Sequence, residues 1–311
     1  MKSPFKILEF KEFKKTLFFL YTTIFIFISC NQRNEKTDNQ WDDFFEFRKG
    51  NIPLIIVAPH GGDLKPKWIK NRDCEGSVIT KDLYTLDIAF QIENELKNKG
   101  FEPYIVYAKI HRIKLDLNRS LQTSHCEDDT SNELWQLFHD QIFSFRKEII
   151  NKYSRGLLID IHGHGHPIQR IELGYLLTSQ KLRELSDNKT SIQHNETSIS
   201  SLIENHPENK ELGDLLFGDN ALGSLLSKNG FPTVPSSTDL APKSGEPFFS
   251  GGTNTKEYGS KHQNGVDAIQ LELNRNGLRQ HIEDREKFSK VFAKILIDYM
   301  KFHYSDIFPS N

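Results

Sequence analysis

The chain has 311 residues, with 40 Lys and Arg against 42 Asp and Glu, so its formal charge is −2 at pH 7. That balance excludes a general nucleic-acid binder, which would carry a basic surplus, and 37% hydrophobic with 26% charged residues excludes a disordered chain. Three cysteines are too few for a disulfide scaffold or a four-thiolate metal site, so the placement of the twelve histidines carries the chemistry.

Residues 1–30 read as a secretory leader. Lys2, Lys6, Lys11, Lys14 and Lys15 precede an apolar run over 17–28, which is shorter than the roughly 20 residues of a membrane-spanning helix. Phe27-Ile28-Ser29-Cys30 resembles a bacterial lipoprotein box, apart from Phe27 where Leu is usual. The resemblance implies a lipid on Cys30, an extracytoplasmic body held to a bacterial membrane, and a polar tether over 31–44. A short uncleaved anchor is the alternative, and it places the body on the same side. With Cys30 lipidated, Cys74 and Cys126 remain as a possible pair in an oxidising compartment.

Residues 45–306 read as one domain, followed by a short tail over 307–311. The apolar, β-branched run 54–58 predicts a strand buried on both faces, ending at Pro59-His60-Gly61-Gly62. Helical periodicity runs over 82–99, with Thr80 or Asp82 as its cap and Gly100 at its end. A second strand over 103–107 completes a βαβ unit. Further on, the pattern predicts a helix over 133–153, a buried strand over 156–161 and a short strand over 174–178. The polar stretch 180–212 reads as a mobile surface excursion. A helix over 220–228 is ended by Gly230, a last strand covers 268–273, and a long helix closes the domain over 282–304. The class is α/β, with a mostly parallel or mixed central sheet flanked by helices and with chemistry at the carboxyl ends of the strands.

Three strand ends carry unusual residues: Pro59-His60-Gly61-Gly62-Asp63, Asp160-Ile161-His162-Gly163-His164-Gly165-His166 and Glu272-Leu273-Asn274-Arg275. Glycines after His60 let the backbone turn sharply there, and an extended 160–166 segment would set its three histidines on one face. Imidazole and carboxylate ligands with one position left for water make a catalytic zinc site, and a nearby free carboxylate takes the water proton. A further cluster, Arg112-Ile113-Lys114-Leu115-Asp116-Leu117-Asn118-Arg119, suits a carboxylate clamp built on Arg119 and Asn118, with Arg112 or Arg275 adding charge. The alternative pairs Asp116 with one of these arginines and leaves the segment to hold the loop.

Taken in order, Ala58-Pro59-His60-Gly61-Gly62, Asp82, Asp116-Leu117-Asn118-Arg119, Asp160-Ile161-His162 and Glu272-Leu273-Asn274-Arg275 resemble the N-formylglutamate amidohydrolase family, within the zinc exopeptidase-like α/β folds. The resemblance implies one Zn2+ per chain, held by His60, Asp82 and His162. Asp63 is the alternative acidic ligand, because zinc carboxypeptidases place theirs three residues after the first histidine, and His164 is an alternative imidazole. It makes Glu272 the catalytic general base and acid, and Asn118-Arg119 the pair that holds a substrate carboxylate. The implied activity is hydrolysis of an N-acyl-amino acid or peptide-like C–N amide bond in a small substrate. The alternatives are a cell-wall N-acetylmuramoyl-L-alanine amidase or carboxypeptidase, and a surface lipoprotein that binds acidic ligands without turning them over.

Overall fold

Runs of apolar β-branched residues make strands that are covered on both faces, and here they form the centre of one seven-stranded sheet. The structure, a computed structural model, describes residues 43–126, 129–188, 192–263 and 265–309, and all but Asp43 belong to a unit that starts at Phe44. The strands are β1 (Phe45–Arg48), β2 (Leu54–Ala58), β3 (Tyr104–Ala108), β4 (Gly156–Gly163), β5 (Ile171–Gly174), β6 (Thr233–Val234) and β7 (Val266–Leu273). Their order is β1-β3-β2-β4-β7-β5-β6. The central strands β3, β2, β4 and β7 are parallel; β1 runs antiparallel to β3, and β5 antiparallel to β7. The sheet is therefore mixed, and the fold is α/β with helices on both faces.

Side-chain direction alternates along each strand, so the parallel strands present two distinct surfaces. Leu54, Ile56, Ile105, Leu157, Ile159, Ile269 and Leu271 join a core with Ile88, Ile92 and Leu96 of helix Thr85–Lys97 and Phe288, Phe292 and Leu296 of helix Ile282–His303. The 22-residue helix Asn132–Tyr153 lies against the other face of the sheet, with Phe145 5.0 Å from Tyr104 and Phe138 5.7 Å from Phe45 between ring centroids.

Several sequence expectations change in detail. The first long helix starts at Thr85, not at 82, because Tyr84 takes a left-handed conformation with φ 67° and breaks the helical path. Neither Thr80 nor Asp82 caps it with a side chain; the Asp82 carboxylate is drawn into the histidine cluster described below. The strand expected over 174–178 lies earlier, at Ile171–Gly174, and Leu176 then turns the chain at φ 64°. Phe45–Arg48, not anticipated as a strand, closes one edge of the sheet against β3.

The stretch 180–212 is a correction of another kind. Among its described residues it folds into helices Ser179–Ser186 and Ser200–Asn205 and leads into Leu212–Phe217, and its Leu182, Ile199, Leu202, Ile203 and Leu212 enter the core. Its few apolar residues are diluted among polar ones along the chain but are gathered on one side in space. The expected leader, Cys30 and most of the tether lie outside the described residues. No helix among the described residues is long and apolar enough to cross a membrane.

Cys74 and Cys126 form a disulfide across 52 positions, with Cα atoms 5.4 Å apart. Closing a loop of that length restricts the unfolded chain. We expect reduction, or Cys74→Ser with Cys126→Ser, to lower stability by about 2–4 kcal/mol. Chemical denaturation with and without reductant measures it.

Candidate metal centre and cleft

After β2 the chain crosses to β3 on one side, whereas β4 lies on the other side of β2. The loops leaving the carboxyl ends of β2 and β4 therefore part, which opens a crevice at the point where open α/β sheets place their ligands. His60 stands two residues beyond β2, and His162 lies near the end of β4. The backbone bends at Pro59 and His60, and Gly61 and Gly62 beside the bend also serve close packing. Added Cβ atoms would sit 2.5 Å from Leu86 N and 2.2 Å from Lys109 C, so only glycine lets this loop press onto the helix start and the end of β3.

Strand register assembles the rest. His162 is the partner of Glu272 across β4 and β7, and Glu272 is the partner of Glu172 across β7 and β5. Directly paired residues share a face, as do residues two apart on one strand. Asp160 thus lies beneath His162, and Gln270 beneath Glu272. His162 Nε2 is 3.0 Å from Asp160 Oδ2, and Gln270 Nε2 donates to Glu272 Oε1 at 2.6 Å.

The two histidines meet on one carboxylate. His162 Nδ1 lies 3.1 Å and His60 Nδ1 3.5 Å from Asp82 Oδ2, and the imidazole centroids are 4.9 Å apart. His60 Nε2 hydrogen-bonds Asp116 Oδ1 at 2.7 Å. Each ring thus turns Nδ1 toward the shared point and Nε2 toward a fully buried carboxylate, Asp116 or Asp160. Carboxylates behind metal-binding imidazoles fix the ring and its tautomer in this way. His60 Nδ1 is buried without a hydrogen-bond partner. A ring nitrogen left open beside a second imidazole and a carboxylate is a donor set suited to zinc.

Electrostatics support the same grouping. Burial raises the Asp82 carboxyl, but hydrogen bonds and charge from His162 and His60 outweigh it and hold the group far below the usual carboxylate range. Asp116 is likewise held low against burial, by His60, Arg112 and Arg72. Burial pulls His162 down, but Asp160, Asp82 and Glu272 together keep its imidazole well above its ordinary value. A proton on His162 therefore balances the surrounding carboxylates. Glu272 moves the other way: burial pushes it up to about 8, with His162 opposing and Asp82 adding to the rise.

Asp82 and Glu272 both line a cleft of about 290 Å³, together with Lys81, His166, Phe249, Arg275 and Arg279. The other candidates fall in different places. Asp63 has an 80% exposed side chain paired with Lys81 and stays outside the histidine cluster. The chain leaves β4 at Gly163, so the three histidines do not share one face. His164 turns away: its Nε2 reaches Arg170 O at 2.9 Å and its Nδ1 accepts from His166 N at 3.1 Å, which occupies both ring nitrogens. Arg112 donates from Nε to Asp116 Oδ2 at 3.0 Å and lies 3.6 Å from Asp82 Oδ1, facing the buried acids. Asn118 brings Nδ2 to 3.4 Å from His162 Nε2. Arg119 borders a separate hollow of about 630 Å³ beside the disulfide, which shares Val78 with the cleft. Arg275 is exposed on the cleft wall.

Sequence reasoning had not assigned Asp116 and Asp160 as the groups behind the histidines. The period-two rule carried a signal for Asp160, two residues before His162 on a strand. Nothing local singled out Arg279 or Glu172.

No family model matches this chain, and no curated protein matches it. Among solved structures, it is similar to an N-formylglutamate amidohydrolase from Ralstonia eutropha JMP134 at 11% identity and TM-score 0.52, covering 84% of this chain and 98% of that chain. It is also similar to a gene product from Agrobacterium tumefaciens at 12% identity and TM-score 0.49, covering 83% and 95%. An N-acetylmuramyl-L-alanine amidase from Mycobacterium abscessus follows at 11% identity and TM-score 0.38, covering 79% and 98%. The likeness to the Ralstonia protein is one of fold.

A metal ion at the His60–Asp82–His162 point has to displace the proton that the surrounding acids hold on His162. We expect zinc binding to release about one proton per ion near neutral pH and to weaken as the pH falls. Calorimetric titration in buffers of different ionisation enthalpy measures the release, and the His60→Ala/His162→Ala double variant should abolish binding.

Proposed function

We propose that this chain is a zinc-dependent amidohydrolase that cleaves an N-acyl-amino acid or peptide-like C–N amide bond. The observation that carries the reading is the convergence of His60 Nδ1, Asp82 Oδ2 and His162 Nδ1 beside a buried, cleft-lining Glu272. The residues present fit the ion: two imidazoles and one carboxylate, with a buried carboxylate behind each ring and an open nitrogen on His60. Bound zinc supplies Lewis acidity toward an amide carbonyl and makes a neighbouring water more acidic.

The chain's own groups do the rest. Glu272 is oriented by Gln270, and although burial pushes it up to about 8 in the metal-free chain, a cation held beside it would lower that value and favour the ionised carboxylate. It takes the proton of the attacking water and carries it to the leaving nitrogen. Arg275 on the cleft wall, with Asn118 beside His162 and Arg119 on the neighbouring hollow, receives the anionic amino-acid part of the substrate. The Cys74–Cys126 disulfide supports an extracytoplasmic setting, in keeping with the lipid-anchored body proposed from Cys30.

Glu272→Gln should retain about one zinc per chain by elemental mass spectrometry while losing about 10²–10⁴-fold in turnover. Full activity in that variant overturns the mechanism. The screen uses N-formyl-L-glutamate, other N-acyl-amino acids and purified muropeptides. Release of peptide from muropeptides alone assigns the chain to cell-wall amide hydrolysis, and binding of acidic ligands without turnover makes it a binding lipoprotein.

A further inference from the structure

Arg279 is buried, with 4% of its surface exposed, yet it sits on the wall of the cleft. Its guanidinium donates to three backbone carbonyls from three separate segments. Nε reaches Leu273 O at 2.9 Å, Nη1 reaches Leu83 O at 2.6 Å, and Nη2 reaches His164 O at 2.8 Å. Leu83 follows the candidate ligand Asp82, Leu273 follows Glu272, and His164 lies two residues beyond His162. One side chain therefore ties the β4 end, the β7 end and the loop before helix Thr85–Lys97 to a common point.

The surroundings are built for this contact. Gly163 forms the seat of the guanidinium: an added Cβ would lie 2.4 Å from Arg279 Cζ and 2.6 Å from Nε and Nη1. The backbone of Arg279 is itself fixed, because Arg285 Nη1 donates to Arg279 O at 2.9 Å while its Nε pairs with Asp87 Oδ2 at 2.6 Å. The clamp thus spans from the closing helix to the helix that follows Asp82. A lysine has one point of donation and cannot reproduce a planar fork that meets three acceptors.

We propose that Arg279, seated on Gly163, is the positioning residue that holds Asp82, His162 and Glu272 in register with one another. This rests on the reading of His60, Asp82 and His162 as metal ligands. Arg279 lies within electrostatic reach of Asp82 and Glu272, so as a mere positive charge it opposes a bound cation, and its removal would tighten zinc binding. As a clamp, its removal loosens the ligand set and weakens zinc binding.

The experiment compares wild type, Arg279→Met, Arg279→Lys and Gly163→Ala. Zinc affinity is measured by competition with a chromogenic chelator, and backbone amide exchange is followed by mass spectrometry in the metal-free proteins. All three variants should bind zinc about 10–100-fold more weakly, the range for groups that orient metal ligands. Exchange should accelerate together at 82–86, 163–166 and 273–275. Gly163→Ala keeps the arginine and Arg279→Lys keeps the charge, so the test survives if Arg279→Met does not fold. Equal or tighter zinc binding in folded variants, or unchanged exchange in the three segments, overturns the clamp. Wild type that takes up no zinc while the variants still lose exchange protection overturns the metal reading and leaves the clamp standing.

Discussion

Four carboxylates, Asp82, Asp116, Asp160 and Glu272, are buried together at one end of the sheet, and each is less than a tenth exposed. Taking an ionised carboxylate out of water costs several kcal/mol unless charge and hydrogen bonds offset it. The fold meets that demand with Arg112 and Arg72 against Asp116, with His60 and His162 between the acids, and with Arg279 nearby. The arrangement remains rich in negative charge. Without a metal, the chain holds a proton on His162 and pushes Glu272 up to about 8. Such a network is a poor route to stability, whereas clusters of displaced pKa values in a cleft are where catalytic sites are found.

The same constraint explains how the fold reaches this point. A parallel pair whose onward connections leave in opposite directions opens a crevice, and the crevice lies between β2 and β4. Register then places His162, Glu272 and Glu172 in one row across three strands. Size alone would have pointed elsewhere: a hollow of about 700 Å³ near helices Ser179–Ser186 and Leu212–Phe217 is larger than the cleft. Among the described residues, though, both groups of three or more candidate metal ligands include residues that line the cleft instead. Of those groups, His164–His166–Glu172 is disqualified by the two ring nitrogens of His164, both of which already have partners.

Much of the architecture was legible in the chain. The run at 54–58 is continuous and rich in β-branched residues, the stretches 103–107, 156–161 and 268–273 are dominated by apolar side chains, and the helices read over 133–153 and 282–304 are long and periodic. These signals are local, so they survive without tertiary knowledge. The misreadings arose where non-local packing decided the outcome. Asp82 reads both as a helix cap and, through the family resemblance, as the acidic ligand; only the cap reading fails, because His60 and His162 claim its carboxylate. The region 180–212 looked like an excursion because its average polarity is high, yet a handful of buried leucines and isoleucines anchor it.

By itself, the sequence determined the class of fold, the identity of the strand-end residues His60, His162 and Glu272, and an acid within reach, because motifs and strand periodicity are written along one dimension. Tertiary structure decided which acid joins the histidines. Asp82 stands on the inner side of its loop and Asp63 on the outer. It also decided that Arg112 faces buried acids, that Asp116 and Asp160 stand behind the imidazoles, and that Arg279 gathers three segments. These are contacts between residues as far as 196 positions apart, or turns of a side chain toward one neighbour over another, and only the closed sheet and its packed helices bring such groups within hydrogen-bonding distance.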